Sequence, residues 1–290
     1  MKQMKKIILA IMMCCMLIVP SQAFADAQVG DTIVTLGKNL TTAQKEQILQ
    51  EMGVSEGVEV IEVTNEEEHQ YLGQYVAKRL IGTKALSSSK ITIGKKNSGI
   101  IVKSNNIDWV SDEMFINALA TAGVKDAEVY VTAPIAVSGT AALTGVIKAY
   151  ELTSDKEIPE DVKQAANEEM VTTAKLGDQI GSDEASALMT QIKESISNNP
   201  PQNAEEVQEI VEQSASDLNI ELTEEQKQSL IDLFNKLKDL NINWDAVGDQ
   251  LTNAKDKLTE FFSSPEGQGF LDKLKEFFVG IIDWFKSLFQ

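Results

Sequence analysis

The chain has 290 residues, enough for one or two domains, and its 26 Lys+Arg against 44 Asp+Glu give a formal net charge of −18. A surface of that sign repels nucleic acid, whose phosphates need clustered Lys and Arg, and no D-x-D-x-D-G loop places oxygen ligands at the spacing a bound cation requires. The two cysteines, Cys14 and Cys15, sit together in an apolar run near the N-terminus, so the rest of the chain is neither a disulfide scaffold, a thiol enzyme nor a Cys-ligated metal site.

Lys2, Lys5 and Lys6 precede an apolar run from Ile7 to Val19, followed by Pro20 and the small-residue site Ala23-Phe24-Ala25. This is the three-part layout of a secretory signal peptide over residues 1–25, so we expect cleavage after Ala25 and a secreted, envelope-associated chain starting at Asp26. Met12 and Met13 stand where a lipoprotein signal has small residues before its modified Cys, which argues against a lipid anchor. Without the signal's lysines the charge becomes −21, 23 Lys+Arg against 44 Asp+Glu.

Residues 26–155 read as an α/β (α+β) core with a mixed sheet. Thr32 to Leu36 is a β-branched run closed by Gly37; Thr41 or Thr42 then caps a helix carrying Ile48, Leu49 and Met52, and Gly53 ends it. Val58 to Val63 is a second strand, and strand, helix, strand at this spacing suggests a parallel βαβ unit. A helix from Asn65 carries Glu66, Glu67 and Glu68 at its positive dipole end and Tyr71, Leu72, Tyr75, Val76 and Leu80 on an apolar face. Ile91 to Gly94 and Gly99 to Val102 are expected to form a hairpin across Lys95-Lys96-Asn97-Ser98.

The stretch from Ser111 to Tyr150 looks like the centre of the core, because small residues such as Ala118, Ala120, Ala122, Ala142 and Gly145 let a helix approach a sheet closely. Ser111 caps a helix that buries Phe115, Ile116 and Leu119 and stops at Gly123. Ala127 to Thr132 is a strand ended by Pro134. Ser138-Gly139 opens a helix burying Leu143, Val146, Ile147 and Tyr150.

Residues 156–264 read as all-helical. Pro159 begins a helix to Leu176 with Gly177 as its stop, Ser182 opens another to about Ser197, Asn203 a third, Thr223 a fourth and Asp245 a fifth, with Ser263 to Gly267 as a break. Thr41…Gln44 and Thr223…Gln226 both fit a capping box. Residues 265–290 form an amphipathic aromatic segment: seven of the ten phenylalanines fall in the last thirty residues, beside Trp284. Phe277, Phe278, Ile281, Trp284, Phe285 and Leu288 are its candidate contacts with a partner protein or a membrane surface. The charge-free run Phe277 to Ile282 is far short of the ~20 residues of a membrane span.

Catalytic patterns are sparse. His69 is the sole histidine, stands behind three glutamates and reads as a solvated helix-face residue; zinc hydrolases need more nitrogen ligands than it provides. No G-x-S-x-G turn accompanies it. Ser87-Ser88-Ser89-Lys90 fits S-x-x-K, but the elements expected with it are at the wrong spacing. Ser138, Gly139 and Thr140 offer backbone N–H groups and hydroxyls after a strand, a candidate ligand site in an α/β sheet. No cofactor and no metal site are expected.

The blocks Val110 to Met114, Ala118 to Val124, Val131 to Pro134 and Val137 to Gly145 resemble those of the YpuA-like secreted proteins of Gram-positive bacteria, over about Val29 to Val247. That family is one of unknown function, so the resemblance implies export and an α/β core followed by helices, and it brings no catalytic residue. The sequence therefore favours a non-enzymatic binding or interaction module at the cell envelope. The alternative is a carboxylate-dependent hydrolase acting on cell-wall polymer, which would show two carboxyl groups about 5–10 Å apart in a cleft.

Overall fold

The computed structural model describes residues 28–72, 81–154 and 156–251, so the signal segment and the aromatic run from Phe277 to Leu288 lie outside the described residues. Strand β1 (Thr32–Gly37), helix α1 (Thr42–Glu51) and strand β2 (Glu59–Val63) form the expected parallel unit, with Val34 opposite Val60. Alternation then fixes which layer each side chain enters. Ile33 points to one face and packs with the main core, whereas Val34 and Leu36 point to the other and pack under Leu40, Ile48 and Met52. At the head of α1 the Thr41 hydroxyl accepts from Gln44 N at 3.3 Å while Gln44 Oε1 accepts from Thr41 N at 2.9 Å, the reciprocal capping box read from the sequence.

Helix α2 (Asn65–Leu72) follows β2, and strands β3 (Ser88–Ile93) and β4 (Ile100–Ile107) come next. The hairpin expected between β3 and β4 does not form. Strand β5 (Ala127–Val137) lies between them, antiparallel to β3 and parallel to β4, giving the sheet order β2-β1-β3-β5-β4 among the described residues. Two constraints explain this. Helix α3 (Asp112–Thr121), buried from Met114 through Thr121, packs on β4 and makes β4-α3-β5 a second parallel crossover. The connection 94–99 is also clamped to the start of β5: Gly94 N donates to Asp126 O at 2.6 Å, Gly99 N to Asp126 Oδ1 at 3.1 Å, and Ala127 N to Gly99 O at 3.2 Å.

β5 also runs past Pro134, the expected end. The β4–β5 register shifts between Asn105 and Ile107, where Asn105 faces Thr132 but Ile107 faces Val137. Pro134 falls inside that irregularity, where no ladder bond needs its missing N–H, and Asn106 Nδ2 bonds Ala133 O at 2.8 Å instead.

Helix α3 and helix α4 (Thr140–Ser154) cover one face of the sheet. α4 comes close because Gly145 has no side chain: a Cβ there would lie 2.7 Å from Thr35 Oγ1. Helix α5 (Glu160–Ile180) packs one side on this core through Val162, Ala166, Met170 and Ala174. Through Ala165 and Leu176 it joins a second core with helices α6 (Ser182–Asn198), α7 (Ala204–Asp217) and α8 (Glu224–Asp239). Helix α9 (Trp244–Gln250) returns to the first core with Val247. The expected stop at Gly177 is overridden: the helix continues to Ile180 and Gly181 turns the chain at φ 108°, while Gly177 sits where Ser182 and Met114 approach closely.

The joint between sheet layer and helices is polar at its centre. Lys193 on α6 is wholly buried, and its ammonium donates to Asn117 O at 2.6 Å, Thr121 Oγ1 at 2.7 Å and Glu169 Oε1 at 2.8 Å. Glu169 on α5 is equally buried and its second oxygen accepts from Thr121 Oγ1. Burial pushes the Lys193 ammonium down, and the Glu169 charge opposes that shift. Replacing Lys193 alone leaves the buried Glu169 carboxyl without its partner. Lys193→Met is therefore expected to lower unfolding stability in denaturant titration by about 3–5 kcal/mol, with Lys193→Met/Glu169→Leu recovering much of the loss. A single variant as stable as the wild type would show that the pair is not what holds this joint.

Candidate functional site

Three helices meet at a cavity of about 160 Å³, and each supplies residues at helical spacing. α2 gives Glu67 and Tyr71, α4 gives Thr144, Ile147, Lys148 and Glu151, and α5 gives Lys163 and Asn167. The α4 contribution is one face of the helix, i, i+3, i+4 and i+7, on which a threonine, a lysine and a glutamate replace the apolar residues that would otherwise close the gap.

Each of the four charges in the cavity has an opposite charge beside it. Glu67 uses one oxygen to cap its own helix, accepting from Thr64 N at 2.8 Å, and the other to accept from Lys148 Nζ at 2.6 Å. Lys148 also donates to Glu62 O at 3.0 Å. Glu151 Oε1 accepts from Lys163 Nζ at 2.8 Å and from Ile158 N at 2.7 Å, which anchors the turn between α4 and α5. Burial pushes the Glu67 carboxyl up, but the bonds from Lys148 and Thr64 win and hold it below the usual carboxylate range. Burial likewise pushes Lys163 down and is outweighed by Glu151, so its ammonium sits above the usual lysine range. Burial and the carboxylates of Glu160, Glu151 and Glu67 raise the Tyr71 phenol, against the opposing charge of Lys163. These three groups are each moved away from neutrality.

Two uncharged groups are not tied down. Four helical threonines and serines spend their hydroxyls on the carbonyl four residues back: Thr153 on Ala149, Ser154 on Tyr150, Thr173 on Glu169 and Thr190 on Ser186. Thr144, 4 % exposed, does not, and its Oγ1 has no partner among the described residues. Asn167, 1 % exposed, donates Nδ2 to Lys163 O at 2.8 Å, yet its Oδ1 is left unpaired. Buried polar atoms without partners are rare and costly, and here two of them line one cavity.

The sequence reading pointed one helical turn away. Ser138, Gly139 and Thr140 lie at the head of α4, where Ser138 O accepts from Val110 N at 3.1 Å and the Ser138 and Thr140 hydroxyls are 3.2 Å apart. Gly139 has φ 87°, and a Cβ there would meet Ile107 Cγ2 at 2.4 Å. The cavity begins at Thr144, on the next turn. Phe277, Phe278, Ile281, Trp284, Phe285 and Leu288 fall outside the described residues. His69 is half-buried rather than solvated, its Nε2–H donating to Gly82 O at 3.0 Å. Lys90 of the S-x-x-K stretch bonds the Met52 carbonyl at the end of α1, while Ser89 on the opposite face of β3 bonds Thr35 Oγ1 at 2.6 Å. Strand alternation thus separates the two. No group of three or more His, Cys, Asp or Glu among the described residues is placed to hold a metal, and no described helix is long and apolar enough to cross a membrane.

A family model described as "Protein of unknown function (DUF1002)" matches residues 36–254. The chain belongs to the DUF1002 family. It is 52 % identical over 290 residues to the uncharacterised protein YpuA of Bacillus subtilis (strain 168), covering 99 % of this chain and all of that protein. No solved structure matches it. The family match runs through every cavity residue, and the family description assigns them no role.

Beside Glu67 stands a group of a different kind. Glu68 is 1 % exposed and bonded to Asn65 Nδ2 at 2.8 Å; burial, with smaller contributions from Glu67 and Glu66, raises its pKa to about 7 from an ordinary 4.5. A raised carboxyl holds its proton in the folded state where the unfolded chain has lost it. Stability is therefore greatest below the unfolded value and falls as pH rises from about 4.5 through about 7, by up to about 3 kcal/mol. Urea titrations of wild type and Glu68→Gln at pH 5 and 7.5 are expected to show this loss in the wild type and a flatter profile in the variant. Equal slopes would exclude Glu68 as its source.

Proposed function

We propose that this DUF1002 protein is secreted, remains associated with the cell envelope, and works by binding a small polar ligand between α2, α4 and α5 without bond-breaking chemistry of its own. The observation that carries this reading is the pair of unpartnered buried atoms, Thr144 Oγ1 and Asn167 Oδ1, on one cavity. General acid or base work near neutrality needs a group whose proton is in play there. The shifted groups of the cavity, Glu67, Lys163 and Tyr71, all move the other way, and the carboxyls that burial raises, Glu68, Asp183 and Asp217, do not line the cavity. Support for export comes from the N-terminal Lys2 to Ala25 layout. The aromatic run from Phe277 to Leu288 supplies a second contact, to an envelope protein or a membrane surface.

Thermal denaturation of the purified chain against a library of small polar metabolites is expected to yield compounds that raise the midpoint in wild type but not in Thr144→Val, which removes one unpaired hydroxyl and keeps the side-chain shape. Compounds that stabilise both equally would place binding elsewhere. Export is checked by N-terminal sequencing of protein recovered from a producing culture: Asp26 as first residue in the envelope fraction is expected, and an uncleaved intracellular chain would refute it.

A further inference from the structure

We infer that the ligand is a small zwitterion of the α-amino acid class, seated with its carboxylate on the two lysines and its ammonium on Asn167 Oδ1. The inference rests on the reading of this cavity as a ligand site and goes further by counting what each lining group has left to give.

Lys148 Nζ has three protons and spends two, on Glu62 O and Glu67 Oε1. Lys163 Nζ spends one on Glu151 Oε1 at 2.8 Å; its other carboxylate neighbour, Glu160, stands at 4.0 Å, beyond hydrogen-bond distance. Two ammonium groups on facing helices, α4 and α5, thus keep N–H donors for an incoming acceptor. Asn167 Oδ1 is an acceptor only and calls for an N–H or O–H, while the Thr144 hydroxyl answers either kind of partner. The ligand must therefore present an acceptor end and a donor end to the same cavity.

Charge narrows the class. Glu67, Glu151, Lys148 and Lys163 sum to zero, so a lone anion or a lone cation would enter a partly buried site with no net countercharge, at a desolvation cost the pocket does not return. A molecule that is neutral overall but strongly dipolar meets both ends without adding charge. Size narrows it again. A cavity of about 160 Å³ suits a small solute of glycine to serine size. Ile147 and the Tyr71 ring offer the apolar wall against which a short aliphatic side chain lies.

Isothermal titration of the full purified chain with glycine, L-alanine, D-alanine and L-serine, beside acetate, methylammonium and glycine betaine, tests the class. Binding by one or more of the amino acids is expected, with acetate and methylammonium each at least tenfold weaker. Betaine, which has the dipole but no N–H for Asn167 Oδ1, is also expected to be weaker. Thr144→Val and Asn167→Leu should each lower amino-acid affinity roughly tenfold, the worth of one hydrogen bond to a charged group. Thr144→Val should do so without loss of thermal stability, because the atom it removes has no partner. Acetate or methylammonium binding as tightly as the amino acids would overturn the zwitterion assignment while leaving the cavity a ligand site. So would silence from the whole panel alongside Thr144-dependent stabilisation by another compound. Amino-acid binding unchanged in both variants would overturn the cavity itself.

Discussion

One buried ion pair holds the two halves of this protein in register. Lys193 and Glu169 are both sealed from water, and the ammonium finds its three acceptors on α3 and α5. An apolar contact in the same place would tolerate sliding by a residue or a turn, whereas three directed bonds to one nitrogen are satisfied in a single arrangement of the helices. Since α3 is also the crossover that sets β5 beside β4, and α5 is shared by both apolar cores, the position of this one nitrogen reaches the sheet and the helices at once.

The same chemistry is used in a different way some distance along α5. At the cavity, lysines and glutamates again pair across helices, but Lys148 and Lys163 keep protons to spare and Asn167 and Thr144 keep an unmet oxygen each. The buried pair is saturated and fixes a structure. The cavity is unsaturated: two of its lining residues each carry a buried oxygen without a partner. That contrast within one helix is the reason to separate a structural role for Glu169 from the recognition role proposed for Asn167, two residues earlier in the chain. A third polar cluster, on the far face of the sheet, belongs with the first: Glu51 Oε1 accepts from Asn105, Tyr130 and Thr132, tying α1 to β4 and β5.

Features decided by neighbours in sequence were legible. Thr41, Ser111, Asn203 and Thr223 cap helices because each side chain reaches an N–H three residues on, a contact that no tertiary arrangement has to supply. Features decided by distant partners were not. Ile91 to Gly94 and Gly99 to Val102 look like a hairpin, and only the clamp of Asp126 on Gly94 and Gly99 shows that another strand has taken the place between them. Gly177 carries a stop signal that tight packing against Met114 and Ser182 overrules. The cavity escaped for the same reason, since Glu67 and Lys148 lie 81 residues apart, and an unpaired oxygen on Asn167 can be recognised only after every possible partner has been placed.

The insertion of β5 between two strands that precede it has a consequence during synthesis. A nascent chain that has emerged only as far as Lys125 already contains β3 and β4; β3 can pair with β1, but β4 has no neighbour it will keep, and the edge of β3 that later receives Val129 and Val131 stays open. Threading a strand into a gap closes more chain than zipping a hairpin does, so sheet completion is delayed until Val137 has cleared the ribosome. Until then the half-built sheet is the part of the molecule most in need of protection from other copies of itself.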